Sequence, residues 1–456
     1  MGCSIAGAGI GRFRTLRALR RQKGAGMTVK NSASGPLSDS ATTAPPALAE
    51  MARVFGRIGL LSFGGPAAQI ALMHRELVET RPWLDEQTYL RALSLCMLLP
   101  GPEAMQLATY AGWRLRGVTG GLLAGALFVL PGALVIAALV AVYVQVGSVP
   151  LVQAGFLGIK AAVIVIVIEA LRKLAARTLK TPAAWILAGL AFVAIFALSL
   201  PFPLIVLAAA LWGFARTAPG ARAQTALPRP PYRSAALWLT LWLGPLLLLE
   251  RFGAPLLADI GWFMAKLAVV TFGGAYAVLA YMTQTVVDQY HWITTAQMID
   301  ALGLAETTPG PLILVTQFVA MLSAYLDGGA SLAALAGLVA LWATFVPCFL
   351  WIFTAAPYLD HIAGRPRPAA ALAAITAAVV GVILNLSLWF ALHVLFSDVS
   401  VLRAGPVSLP APQLSSFDPL ALALAALAAV WLILLRRGMG ETVLLLALAG
   451  AGSHFL

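Results

Sequence analysis

Along most of this chain, apolar residues follow one another without the alternation that a half-buried strand would show. Stretches such as AAVIVIVIEALRKL (161–174) and LVALWATFVPCFLWIF (338–353) are apolar on every face. Runs long enough to cross about 30 Å of hydrocarbon recur from residue 51 onward. Lipid-exposed backbone must satisfy its own hydrogen bonds, so the pattern predicts helices and argues against a barrel of alternating strands. Spans are expected near 54–73, 92–112, 118–145, 151–171, 183–200, 201–215, 235–250, 257–283, 299–325, 330–355, 369–396, 419–435 and 441–455. LPFP at 200–203 breaks one stretch into two short helices, and 235–250 is short for a perpendicular crossing. The expected fold is therefore all-α and polytopic, with about 13 helices and a range of 10 to 13.

Composition agrees with that class. The chain has 456 residues, 61% hydrophobic and 11% charged, against roughly 25% charged in soluble domains. Its net charge of +12 is uneven: residues 1–53 hold eight Lys/Arg against Asp39 and Glu50. Basic residues flanking spans mark the cytoplasmic side and anionic lipid headgroups, so nucleic acid is not implied. With the N-terminus inside, Arg114/Arg116, Arg172–Lys180, Arg216–Arg233, Arg365/Arg367 and Arg436/Arg437 all fall on that side. Two loops fit badly. The loop 74–91, expected outside, carries Arg75, Arg81 and Arg91, and 284–298, expected inside, has no Lys or Arg. Both are expected to dip into the membrane. Residues 1–26 lack a sustained apolar core and cleavage site, Met27 is an alternative start, and 28–47 read as a polar lead-in. Cys3, Cys96 and Cys348 are isolated and read as packing residues, and the five histidines lack ligand spacing. Neither a metal nor a cofactor is expected.

An internal repeat organises the chain. Residues 62–102 align with 271–311 at a constant offset of 209 without gaps, and 14 of 41 positions are identical. Phe63-Gly64-Gly65 meets Phe272-Gly273-Gly274, Trp83 meets Trp292, and Pro100-Gly101-Pro102 meets Pro309-Gly310-Pro311. Seven expected crossings separate equivalent spans, an odd number, so the halves are expected to have opposite orientation. Inverted repeats are a recurring plan of secondary transporters, with substrate held near the midplane by interrupted helices. The corresponding division is a basic extension 1–50, a first repeat 51–215, a linker 216–234 and a second repeat 235–456.

Pro-Gly-Pro should break a helix outright, and in a bilayer that is tolerated where the freed groups face protein or a water-filled cavity. Proline also suits a first helical turn, so each break should open a half-helix whose N–H groups and partial positive charge point into the membrane interior and attract anions. The Phe-Gly-Gly motifs supply close-approach glycines beside them. The repeats differ at polar positions: Gln69, Arg75 and Glu76 face Val278, Gln284 and Thr285, while Met97, Leu98 and Leu99 face Glu306, Thr307 and Thr308. An acid near a span centre costs about 2.5–3.5 kcal/mol on insertion scales, which makes Glu306 a functional candidate. The substrate-binding candidates are Phe63, Gly64, Gly65, Gln69, Arg75, Pro100, Gly101, Pro102, Gln106, Phe272, Gly273, Gly274, Thr307, Thr308, Pro309, Gly310 and Pro311. Glu306 and Glu76 are the proton-coupling candidates. Glu76 reads equally as half of an interfacial ion pair. Lys160, Glu169 and Lys266 read as snorkelling residues.

On these motifs the sequence resembles the chromate ion transporter family in its long, two-domain form. The resemblance rests on SFGGPAAQIALMHRELVETRPWLDEQTYLRALSLCMLLPGPEAM and TFGGAYAVLAYMTQTVVDQYHWITTAQMIDALGLAETTPGPLIL, and it spans nearly everything from about residue 50. It implies a proton-coupled antiporter of the bacterial inner membrane that exports chromate and confers resistance, with sulfate as a structural mimic. Protons, chromate and membrane lipids are then the partners, and a homodimer is one assembly open to it. A sulfate importer on the same fold is the nearest alternative. An enzyme acting on lipid headgroups would need a constellation such as HExxH or GxSxG, which the sequence lacks, and an assembly protein is the other distant reading.

Overall fold

A computed structural model describes residues 45–218, 231–272, 275–359, 365–405 and 407–455. They belong to one compact unit, Pro45–Leu456. Residues 1–44 of the basic extension, most of the 216–234 linker, and Gly273 and Gly274 lie outside the described residues. Among those described, the chain forms fifteen α-helices and one β-hairpin. Five helical stretches are long and apolar enough to cross a membrane. Large side chains such as Leu134 on one of these stretches, and Trp185, Leu190, Leu204 and Leu211 on shorter apolar helices, are more than half exposed, a surface that only lipid would cover without aggregation. The protein is a multi-pass helical membrane protein.

Four expected spans are not single helices. In place of 54–73 the chain forms α1 (Leu48–Leu61) and α2 (Gly65–His74), and in place of 92–112 it forms α3 (Glu86–Leu98) and the first part of α4 (Glu103–Val146). Helix α4 itself folds back at Arg116 and Gly117, where non-helical dihedrals separate a 103–115 arm from a 118–146 span. Gly112 and Gly120 pack so closely at this turn that a Cβ on either would strike the other's carbonyl. Then come α5 (Pro150–Thr178), α6 (Pro182–Phe196) and α7 (Phe202–Ala215), the last two being the short pair expected around LPFP.

The second half begins with α8 (Tyr232–Arg251) and then repeats the order of the first four helices. Helices α9 (Pro255–Val270), α10 (Ala275–Thr283), α11 (Thr295–Glu306) and α12 (Val315–Ala355) follow the plan of α1 to α4, and α12 folds back at Gly328 and Gly329. Even local detail keeps the offset: α2 widens into π turns over Arg75–Thr80 and α10 over Gln284–Gln289. The N-cap of α3 is Asp85 and that of α11 is Thr294, each accepting a backbone N–H through its side chain. The Thr88 hydroxyl and amide hold the Asp85 carboxyl below the usual carboxylate range. Helices α13 (Pro366–Leu395), α14 (Pro419–Ala429) and α15 (Met439–Ser453) complete the chain.

Contacts fix which helix ends share a face. Gly158 meets Leu446 and Gly450 meets Ala154, so α5 and α15 run antiparallel, which places Arg436 and Arg437 beside Arg172–Lys180. Arg367 donates to the Thr217 carbonyl, joining the start of α13 to the end of α7. The span of α4 starts at the Arg116 turn, and its far end, Tyr143, bonds Asp300 beside Lys160. The basic clusters that the structure describes therefore share one face.

Both poorly fitting loops are explained by hairpins that enter and leave on the same side. Glu76 pairs with Arg57 of α1 and with Arg81, contacts that α2 could not make if it continued in the direction of α1. Loop 81–85 consequently returns to the basic face, where Arg81 conforms to the charge rule. Tyr290 and Trp292 pack on Phe263 of α9, so α10 folds back likewise, and loop 290–294 lies at the other end with Gly147 and Tyr325. Counting 54–73 and 257–283 as full crossings puts each following loop on the wrong side.

The expectation of helices alone also needs one correction. Val399–Ala404 and Val407–Pro412 pair as antiparallel strands β1 and β2, from Val399 opposite Pro412 to Ala404 opposite Val407. The segment is too short and proline-punctuated to span, and Gly405 takes a positive φ at its turn.

Candidate functional site

The four helix breaks meet at one place. Ser62 and Thr271 end α1 and α9 in the same manner, each hydroxyl donating to the carbonyl four residues back, Ile58 and Leu267. In the first break Gly64 and Gly65 have φ of 87° and 79°, and in the Pro-Gly-Pro motifs Gly101 and Gly310 have φ of 112° and 91°. Side chains disfavour all four conformations, which is why glycine stands there. The freed backbone groups then pair across the repeats. The Gly101 N–H donates to the Thr271 carbonyl and the Gly310 N–H to the Ser62 carbonyl, both at 2.8 Å. Each Pro-Gly-Pro is thus stitched to the helix end preceding the other repeat's Phe-Gly-Gly, and both bonding partners keep the offset of 209.

Glycines elsewhere admit these breaks. A Cβ on Gly132 would collide with the Pro309 carbonyl, and Gly132 is the midpoint of the 118–146 span. On the other side, Gly101 packs against Cys348 of α12. Cys96 and Cys348 are buried packing residues.

Between the breaks lies a small cavity of about 20 Å³, room for about one water. Gly101, Pro102, Glu103 and Ala104 line it from one half-helix and Pro311, Leu312 and Ile313 from the other. The first N–H groups of both half-helices have no acceptor within their own helix, so two positive helix ends face one space. Gln69 also lines it and is 1% exposed; its amide donates to the Gly310 carbonyl at 2.7 Å and to Ser62 at 3.3 Å. Gln106 donates to the Pro100 carbonyl at 2.6 Å. Among the described residues, no Lys or Arg lines this cavity.

Other candidates stand at varying distances. Glu306 ends α11 and accepts a hydrogen bond from the Tyr276 hydroxyl at 2.9 Å. Thr307 and Thr308 donate to the carbonyls of Leu304 and Ala305, finishing that helix. Phe63 is 48% exposed, and Phe272 packs against the core. Glu76 is buried and accepts from Arg81 at 2.6 Å, so the ion-pair reading describes its contacts. Arg75 and Arg114 are exposed and line neither the cavity between the breaks nor the one beside Asp300.

Three residues are not singled out by sequence pattern as members of a site. Tyr276 is the partner of Glu306, and Lys160 and Asp300 form an ion pair at 3.1 Å between α5 and α11. Asp300 does leave a signal: at the offset of 209 it aligns with Arg91, an opposite charge at an equivalent position of an apolar helix.

Replacing Gln69 by leucine should leave the Gly310 carbonyl short of a donor, a loss of about 1–3 kcal/mol. The expected result is a melting temperature several degrees lower for the detergent-solubilised protein, measured by thermal unfolding. An unchanged transition would show that this amide is not part of the junction.

The family described as Chromate transporter matches residues 49–214 and 258–453, segments whose starts again differ by 209. The chain is 34% identical over 356 residues to the chromate transport protein of Cupriavidus metallidurans, covering 75% of this chain and 83% of that protein. It is 31% identical over 358 residues to the chromate transport protein of Pseudomonas aeruginosa, covering 76% and 82%. A probable chromate transport protein of Synechococcus elongatus is 32% identical over 359 residues, covering 76% and 86%. No solved structure matches the chain.

Proposed function

The chain belongs to the chromate transporter family, and we propose that it exports chromate across the bacterial inner membrane in exchange for protons, giving chromate resistance. The observation that carries this reading is the meeting of two half-helix N-termini at one mid-depth cavity. The two repeats are mounted upside down relative to each other in the bilayer; in support, one loop pair lies with the basic clusters and the other at the opposite end. Alternating access then moves one pair of hairpins against the other around a shared site.

A tetrahedral dianion is far larger than the present cavity, so it enters only when the hairpins separate and the Gly101 to Thr271 and Gly310 to Ser62 bonds yield. The N–H groups they release, together with the first-turn N–H groups and the Gln69 and Gln106 amides, are donors suited to an oxyanion. Each helix end carries about half a positive charge, so two offset roughly half of a dianion. Arg75, on the basic face, draws the anion toward the cytoplasmic approach. Glu306 takes a proton as the anion leaves and returns it on the cytoplasmic side, with the Tyr276 hydroxyl stabilising its charged form. Glu76 is the second coupling candidate, acting through its pair with Arg81. Thr307 and Thr308 adjust the carbonyl ends beside the break.

Purified protein in proteoliposomes with a set proton gradient tests the proposal. Chromate should accumulate against its own gradient only when protons flow the other way, with sulfate competing. Gradient-independent flux would remove the coupling, and flux of sulfate without chromate would select an importer of that anion.

A further inference from the structure

A second and much larger cavity, of about 540 Å³, opens on the face opposite the basic clusters, between the far end of α4, the start of α5 and the hairpin of α11 and α12. Asp300, only 6% exposed, sits in its wall, held by the Lys160 ammonium at 3.1 Å and by the Tyr143 hydroxyl at 2.8 Å. Lys160 is part-exposed, with 21% of its side chain accessible, and is the one Lys or Arg among the described residues lining either cavity. Asp300 lies two turns before Thr307 on α11, about 10 Å along the helix.

We propose that this vestibule is a second binding site for a small oxyanion, in which Lys160 supplies the cation and Asp300 is a built-in competitor for it. The inference rests on the transport reading: an anion leaving a cradle lined by no Lys or Arg among the described residues meets a full positive charge here. A free ammonium on the exit route would hold a dianion tightly and slow its departure. A carboxylate already paired with that ammonium lowers the anion's affinity, because the anion must displace it. Release therefore stays fast while the charge still draws the anion outward. The pair also ties α5 to α11.

The test uses local charge rather than flux. In full-length protein with Cys3, Cys96 and Cys348 replaced by serine, Ser148→Cys places a thiol in the vestibule wall, to be labelled with negatively and positively charged methanethiosulfonates. Asp300→Asn should raise the ratio of anionic to cationic labelling rates about three- to tenfold, and Lys160→Met should lower it by a similar factor, as expected for one charge at a partly hydrated site. Sulfate should protect the thiol better in Asp300→Asn than in the parent, and not at all in Lys160→Met. The double variant Lys160→Met/Asp300→Asn leaves no buried charge unpaired; it should fold as the parent does yet show no sulfate protection. Ratios that ignore both substitutions, or protection that survives loss of Lys160, would overturn the site. Chromate flux is measured on the same proteins: a charge-dependent vestibule in protein without flux would refute export and support the site.

Discussion

Replacing Gly132 by valine is expected to abolish transport and to destabilise the protein by about 1–3 kcal/mol or more. The reason is geometric. Gly132 stands halfway along the 118–146 span, and even the first carbon of a side chain would collide with the Pro309 carbonyl and crowd Leu314. A Cβ is fixed by the backbone, so no rotamer change relieves the overlap. The second Pro-Gly-Pro must move away from the span, and with it the Gly310 N–H that bonds Ser62 and the carbonyl that receives Gln69. Everted vesicles should show chromate uptake reduced at least about tenfold, and the solubilised protein should unfold at a lower temperature. Gly189→Val, in α6 where a Cβ meets nothing within 4 Å, is the control and should behave as the parent. Uptake by Gly132→Val at the parental rate would mean that the break does not seat against this span.

The second large effect is expected from Glu306→Gln. This residue accepts from the Tyr276 hydroxyl and lies three residues before Pro309. An amide keeps its size and much of its hydrogen bonding but carries no exchangeable charge. Proton-driven chromate uptake by everted vesicles should fall by about one to two orders of magnitude, the range spanned by losing a charge-assisted hydrogen bond of about 1.5–3 kcal/mol. Chromate-for-chromate exchange without a gradient should persist, because the anion cradle is intact. Tyr276→Phe should give an intermediate loss, since the carboxyl remains without its donor. Undiminished gradient-driven uptake in Glu306→Gln would move the coupling site elsewhere, with Glu76 next in line.

Much of the junction is legible in the order of residues. Pro-Gly-Pro cannot continue a helix, and Gly101 and Gly310 do take dihedrals that side chains disfavour. The same logic applies to Gly64 and Gly65, yet the apolar pattern predicts one helix over 54–73. Apolar character persists across Ser62 and Phe63, and hydropathy does not register a reversal of chain direction. The loop charges hold the correction. Arg75, Arg81 and Arg91 are on the wrong side of a continuous span and on the expected side of a hairpin. Lys160 reads as a snorkelling residue because its partner is 140 residues away on another helix, a pairing that no local pattern contains.

The class of molecule, the helix breaks at the two Pro-Gly-Pro motifs and the repetition at 209 residues are written in the linear chain. Those properties follow from covalent chemistry: apolar side chains need lipid or a core, proline lacks an N–H, and glycine takes positive φ at the least cost. Folding in three dimensions settles the rest: to which side each hairpin returns, that each Pro-Gly-Pro bonds the opposite repeat, and which hydroxyl or ammonium meets each buried acid. Such choices depend on close approach at glycines such as Gly132 and on side chains brought together from distant helices, and dense packing admits only one arrangement of them.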